Sequence, residues 1–201
     1  MGALTMATKR AQQTRPRARP GLWRDDRASQ IVEFALSLPL LVFLVVGIFD
    51  FSNALTLKQR LTNAAREAAR VAASDPATDL VNYSTTVPVS IGDAFQVVDN
   101  YLISENINDC GLSGAGATGP TGLKWTYTST GTCPGSGITL AINRACINAI
   151  STSNGTVDLI GTCVTITYPY KWEFNNVASS LGWTGSGPST ITVLAGAMNE
   201  N

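Results

Sequence analysis

The chain has 201 residues, 44% of them hydrophobic, with 14 basic residues balanced by 14 acids and no histidine. That length admits one membrane segment and one modest domain. The missing histidine excludes Ser-His-Asp and Cys-His catalytic sites and removes the commonest metal ligand, so no metal and no cofactor is expected.

The zero net charge hides an asymmetry. Residues 1–30 carry seven basic residues against Asp25 and Asp26, a net of +5, whereas residues 71–201 carry Lys124, Arg144 and Lys171 against nine acids, a net of −6. A basic flank ahead of an apolar run predicts that the N-terminus stays in the cytoplasm and that the bulk crosses the membrane. That rule accounts for the arm where it stands, so no nucleic-acid partner is expected. Residues 1–28 have the Arg, Pro and Gln composition of a disordered cytoplasmic leader.

No residue in 34–49 is charged, and Glu33 stands at the head of that run. A carboxylate inside a bilayer costs several kcal/mol at the centre and less near the interface, so an acid in this position is a functional candidate. The run is not a removed signal peptide, because the nearest small-residue site, Val71-Ala72-Ala73, lies too far beyond it. Residues 29–74 read as one helix, about 69 Å long at about 1.5 Å per residue. That is twice the thickness of a bilayer core, so the membrane part ends near residue 51. Beyond it Leu57, Leu61, Ala64, Ala65, Ala68, Val71 and Ala72 follow helical spacing. The alanines suit close approach, either by helices of other subunits or by the chain's own distal domain. Pro39 is expected to kink or loosen the membrane half, and Asp75-Pro76 to end the helix.

Residues 75–201 read as an exported α+β domain. A polar linker or irregular strand over 76–90 leads to Ser90-Ile-Gly-Asp93, which resembles a capping signal. A short helix follows, with Ala94, Val97, Val98, Tyr101 and Leu102 on one stripe, ending near 106–108. Residues 110–120 read as a surface loop. Strands are expected over 123–128, 138–142 and 162–172, with a last one near 190–194.

All four cysteines lie after the apolar run, and none forms a Cys-x-x-Cys pair. In a translocated region they predict two disulfides, with three possible connectivities. Asn154-Gly155 is a strong hairpin signal. A two-residue turn there pairs Ser153 with Thr156 and brings Cys146 directly opposite Cys163, at a non-hydrogen-bonded position about 4.5 Å between Cα atoms. This selects Cys146–Cys163 and leaves Cys110–Cys133.

No acid pair suggests a glycosidase, and the Gly-rich stretch after Gly111 lacks the lysine of a phosphate loop. Trp125, Tyr127, Tyr168, Tyr170, Trp172 and Trp183 could form a sugar-binding face, although aromatic residues in strands are more often core. No enzymatic activity is expected.

The run Ser-Gln-Ile-Val-Glu33-Phe34-Ala-Leu-Ser-Leu-Pro39, followed by Asn63-Ala-Ala-Arg66-Glu67-Ala-Ala-Arg70, resembles the start of TadE-like proteins, pseudopilins or minor pilins of the Tad (Flp) type IV pilus system. The resemblance covers about residues 27–73. It implies cleavage by a prepilin peptidase between Ala28 and Ser29, where the family usually has glycine before the cut. Glu33 would become the fifth residue of the mature chain, and its carboxylate would pair with the new Ser29 amine of an adjacent subunit. Glu33, Phe34 and Pro39 would belong to the assembly helix. The implied partners are the membrane, the peptidase, other pilins or pseudopilins and the Tad secretion machinery. The implied location is the inner or cytoplasmic membrane, with the C-terminal domain exported and possible membership of a surface pilus. The alternative is a single-pass surface binding module or adhesin with a β-rich head.

Overall fold

The computed structural model describes residues 26–129, 131, 133, 137–152, 155–180, 182 and 189–200; at 26–28, 147–152, 155–159, 177, 178 and 180 it describes the backbone alone. The cytoplasmic leader expected over 1–28 therefore lies almost wholly outside the described residues. The chain divides into two compact units, Met1–Leu41 and Val42–Asn201. One helix, α1 (Asp26–Ser74), contributes residues to both and continues through Pro39. The run of residues without a helix breaker after Ile48 explains its length, and Pro76 stops it.

The second unit is an α+β arrangement around an antiparallel sheet. Its strands are β1 (Ala117–Thr121), β2 (Lys124–Thr128), β3 (Thr139–Thr152), β4 (Gly155–Pro169) and β5 (Thr190–Met198), in the spatial order of the sequence. The remaining helices are α2 (Val89–Ser104) and α3 (Glu173–Ser180). In place of the expected linker, Ala77–Asn82 forms a 3-10 helix. The expected loop over 110–120 ends in β1, and the strand expected to reach Trp172 stops at Pro169, after which α3 forms.

Period-two alternation supplies one side of the core: Trp125, Tyr127, Ile138, Leu140, Ile142, Val164, Ile166, Val193 and Ala195 are buried. The other side comes from α2, through Ile91, Ala94, Val98 and Leu102, and from α1, through Leu61, Ala64, Ala65, Ala68, Ala69 and Ala72. The alanines are fully buried, so their small size brings the α1 backbone close to the chain's own domain. Val71, expected on this face, is only half-buried, while Ala69 takes a place on it.

The capping signal at Ser90 works differently from the expectation. Pro88 occupies the N-cap of α2 and no side chain caps from that position. The Ser90 N–H instead donates to Asp79 Oδ2 at 2.9 Å, so the 3-10 helix supplies the acceptor.

The disulfides are Cys110–Cys133 and Cys146–Cys163, with Cα separations of 5.1 and 5.6 Å. The hairpin register that led to the second pair is corrected. Thr152 pairs with Gly155 in place of the expected Ser153–Thr156 register, and residues 153–154 lie outside the described residues. Cys146 then faces Gly161, and Cys163 faces Asn143. Between these pairs Arg144 and Ala145 stand opposite Thr162 alone, a β-bulge that brings the cysteines together on a diagonal. The bridges close sequence separations of 23 and 17 residues. Replacing both members of either pair by serine is expected to cost about 3 kcal/mol through the freed unfolded chain. In urea titrations the midpoint should fall while the slope rises; an unchanged slope would contradict that origin.

Candidate assembly site

In the first unit α1 carries the residues that the sequence singles out. Ala28 lies in the helical backbone. Ser29 and Glu33 stand one turn apart on it, both exposed, followed by Phe34 at 65% exposure. Every side chain over 29–41 is exposed. Glu33 is the sole charge between Arg27 and Asp50. Ser37 Oγ donates to the Phe34 carbonyl oxygen at 3.1 Å, and Pro39, having no N–H, cannot donate to the carbonyl of Ala35. The result is a helical surface that is apolar all round with one carboxylate on it, which requires cover from lipid or from other helices. The segment brings Ser29, Glu33 and Phe34 within about one and a half turns, whereas Pro39 lies farther along.

The second unit contains an acid that sequence reasoning missed. Asp50 is 5% exposed and fully engaged. The Tyr170 hydroxyl donates to its Oδ1 at 2.9 Å, and the Phe174 N–H donates to its Oδ2 at 3.0 Å. Phe174 is the second residue of α3, so a carboxylate on α1 caps α3. Burial, then the hydrogen bond to Asp50, pushes the Tyr170 phenol up to about 12, which keeps it a donor at neutral pH. The Phe174 ring lies 4.4 Å from that of Phe43, centroid to centroid, and beside Gly47, where a Cβ would touch its edge at 3.5 Å. The available signal was the position of Asp50 at the end of the apolar run.

Arg144 was also missed as a structural residue. It is 1% exposed, donating from Nη1 to Thr162 Oγ1 at 3.3 Å and from Nη2 to the Asp75 carbonyl at 3.0 Å. Burial lowers the guanidinium pKa, opposed by the carboxylates of Asp79 and Asp75. Burial likewise raises the Asp75 carboxyl, helped by Asp93 and Asp79 and opposed by Arg144. Thr162 Oγ1 donates on to Asn199 Oδ1 at 2.8 Å, and the Glu200 N–H donates to the Ala73 carbonyl at 3.3 Å. The bulge, the end of α1 and the last residues of the chain are thus joined.

The aromatic residues do not share one face. Trp125 and Tyr127 are core, Tyr168 donates to the Asn108 carbonyl, and Tyr170 is committed to Asp50. Trp172 packs edge-on against Tyr170 at 4.9 Å, and Trp183 lies outside the described residues. Among the described residues, no group of three or more Cys, Asp or Glu is arranged to hold a metal ion.

One helix, within Ser29–Ser74, is long and apolar enough to cross a membrane, with a mean hydropathy of 2.5 over its most apolar window. Residues 28–70 match the model of the TadE-like protein family. The TadE-like segment contains Ser29, Glu33, Phe34, Pro39 and Asp50 together with most of the alanine face of α1, and residues 71–201 lie outside it. No curated protein and no solved structure matches the chain. The match covers 43 of the 201 residues, all of them on α1.

Proposed function

We propose that this chain is a non-enzymatic minor pilin or pseudopilin that acts in assembly of a Tad (Flp)-type pilus. A prepilin peptidase cuts it between Ala28 and Ser29, and α1 anchors it by residues 29 to about 51. The N-terminus is cytoplasmic and residues 75–201 are exported. The observation that carries this reading is Glu33, the sole carboxylate on the exposed apolar stretch of α1 over residues 29–41, within the segment that matches the TadE-like family. A newly made Ser29 amine on a neighbouring subunit would neutralise it, and burying either charge alone would be costly. The two disulfides agree with export to an oxidising compartment. The burial of Trp125 and Tyr127 weakens the alternative of a sugar-binding head.

The test is mass spectrometry of the membrane-extracted protein. A mature N-terminus at Ser29 is expected, replaced by the intact leader when the prepilin peptidase is removed. An intact leader in both backgrounds would refute processing.

A further inference from the structure

The covered stripe of α1 does not stop where the apolar run begins. It passes from Leu61 through Leu57, Ala54 and Asp50 to Gly47, Val46 and Phe43, while Leu44, Val45, Ile48 and Phe49 around it are exposed. The cover at the far end includes Phe174, whose ring is tilted against that of Phe43 and lies against Gly47. Phe43 precedes Asp50 by seven residues, about 10 Å along a helix. Phe174 therefore sits well inside the level of the uncharged run, not above it.

We infer that the exported domain makes a second contact with the lipid bilayer, through the Phe174 side chain in the first turn of α3, immersed in the outer leaflet beside α1, with residues 170–173 at the headgroup boundary. This rests on the reading that α1 spans the membrane. Lipid that covers Leu44 and Ile48 of α1, which are 58% and 61% exposed, meets the half-buried Phe174 of α3 at the same depth beside them. The contact is continuous with the lipid-facing surface of α1.

The polar chemistry fits that position. A free carboxylate at Asp50 would be costly at the edge of hydrocarbon, but both its oxygens accept hydrogen bonds, from Tyr170 and from the Phe174 N–H. Those bonds also fix α3 to α1, which holds Phe174 below Asp50. Tyr170 and Trp172 stand together at this boundary, the usual place for aromatic residues between lipid and water. Lys171 is exposed and long enough to reach a lipid phosphate while its stem lies on apolar surface. Gly47 gives the Phe174 ring room against the helix.

The test uses the full chain in phosphatidylethanolamine–phosphatidylglycerol vesicles whose acyl chains are brominated near the headgroup end. Trp23, Trp172 and Trp183 are replaced by phenylalanine. Trp125, 1% exposed in the core, remains as an emission that lipid bromines cannot reach and as a report on folding. Phe174→Trp then supplies the probe, and Leu44→Trp on α1 supplies the control. We expect the added emission to be lost in both variants at every protein-to-lipid ratio, with the Trp125 emission kept. Loss at position 44 with none at 174 would overturn the second contact and leave the membrane-spanning reading intact. Loss at neither would overturn both. Emission at 174 that is blue-shifted but not quenched would mean that protein covers it, such as a second copy of this chain, and would also overturn the contact.

Discussion

Arg144→Ala is expected to destabilise the α+β domain by about 3 kcal/mol. The guanidinium is 1% exposed and two of its donations cross the fold, one to the Asp75 carbonyl just past α1 and one to Thr162 on β4. Its removal takes this donor from the partly buried Asp75 carbonyl and leaves the carboxylates of Asp75 and Asp79 without the cation that faces them. It also opens a cavity beneath the bulge. Arg144→Met separates these effects, because it restores most of the volume and none of the donors. Arg144→Lys keeps the charge but cannot hold two diverging acceptors with a rigid fork. The expected order of urea midpoints is wild type, then lysine, then methionine, then alanine. A methionine variant as stable as wild type would mean that the arginine contributes only packing. A stable alanine variant would remove the clamp altogether.

The position of Arg144 shows why the fold was partly legible. Ile138, Leu140 and Ile142 announced the buried side of β3 by alternation, and residue 144 continues the same phase. A charged residue there breaks the pattern, and pattern reading treats it as the strand's end. What it meets depends on Asp75 and Asn199, far away in sequence, and on a bulge that no local signal marks. The disulfide partners agree with the structure, but the register behind them does not. Thr152 pairs with Gly155 instead of Ser153 with Thr156, and the bulge makes up the difference. The alanine face of α1 was visible as a periodicity, and its partner was not, because small residues suit another subunit as well as the chain's own sheet. The role of Asp50 was hidden for the same reason as that of Arg144, although its position at the end of the apolar run marked it. Its meaning lies in Tyr170 and Phe174, more than a hundred residues on, and α3 was hidden behind a strand that appeared to continue through Trp172. By contrast, the segment with Glu33 needs no long-range partner in the chain, so sequence alone could single it out.

That independence makes Glu33→Gln the variant with the largest expected effect on assembly. The substitution keeps side-chain length and removes the charge. Insertion of α1 should be unimpaired or improved, since a carboxylate in the bilayer opposes insertion. Cleavage between Ala28 and Ser29 should also persist. Docking is different: the Ser29 ammonium of the neighbour would lie uncompensated in an apolar contact, a loss of about 3–5 kcal/mol for a buried pair broken on one side. At about 1.4 kcal/mol per tenfold change, incorporation should drop on the order of 100-fold or more. The readout is the ratio of the protein in sheared pili, or cross-linked to other pilin subunits, to the protein left in the membrane. Unchanged incorporation would refute the pairing. A second comparison identifies the partner. In cells that lack the prepilin peptidase no Ser29 amine forms, so Glu33→Gln should cost nothing further when cross-linking of the uncleaved chain to its neighbours is measured. Two groups that act through one contact are non-additive in this way. A full additional loss in the uncleaved background would mean that the carboxylate of Glu33 pairs with something other than the Ser29 amine.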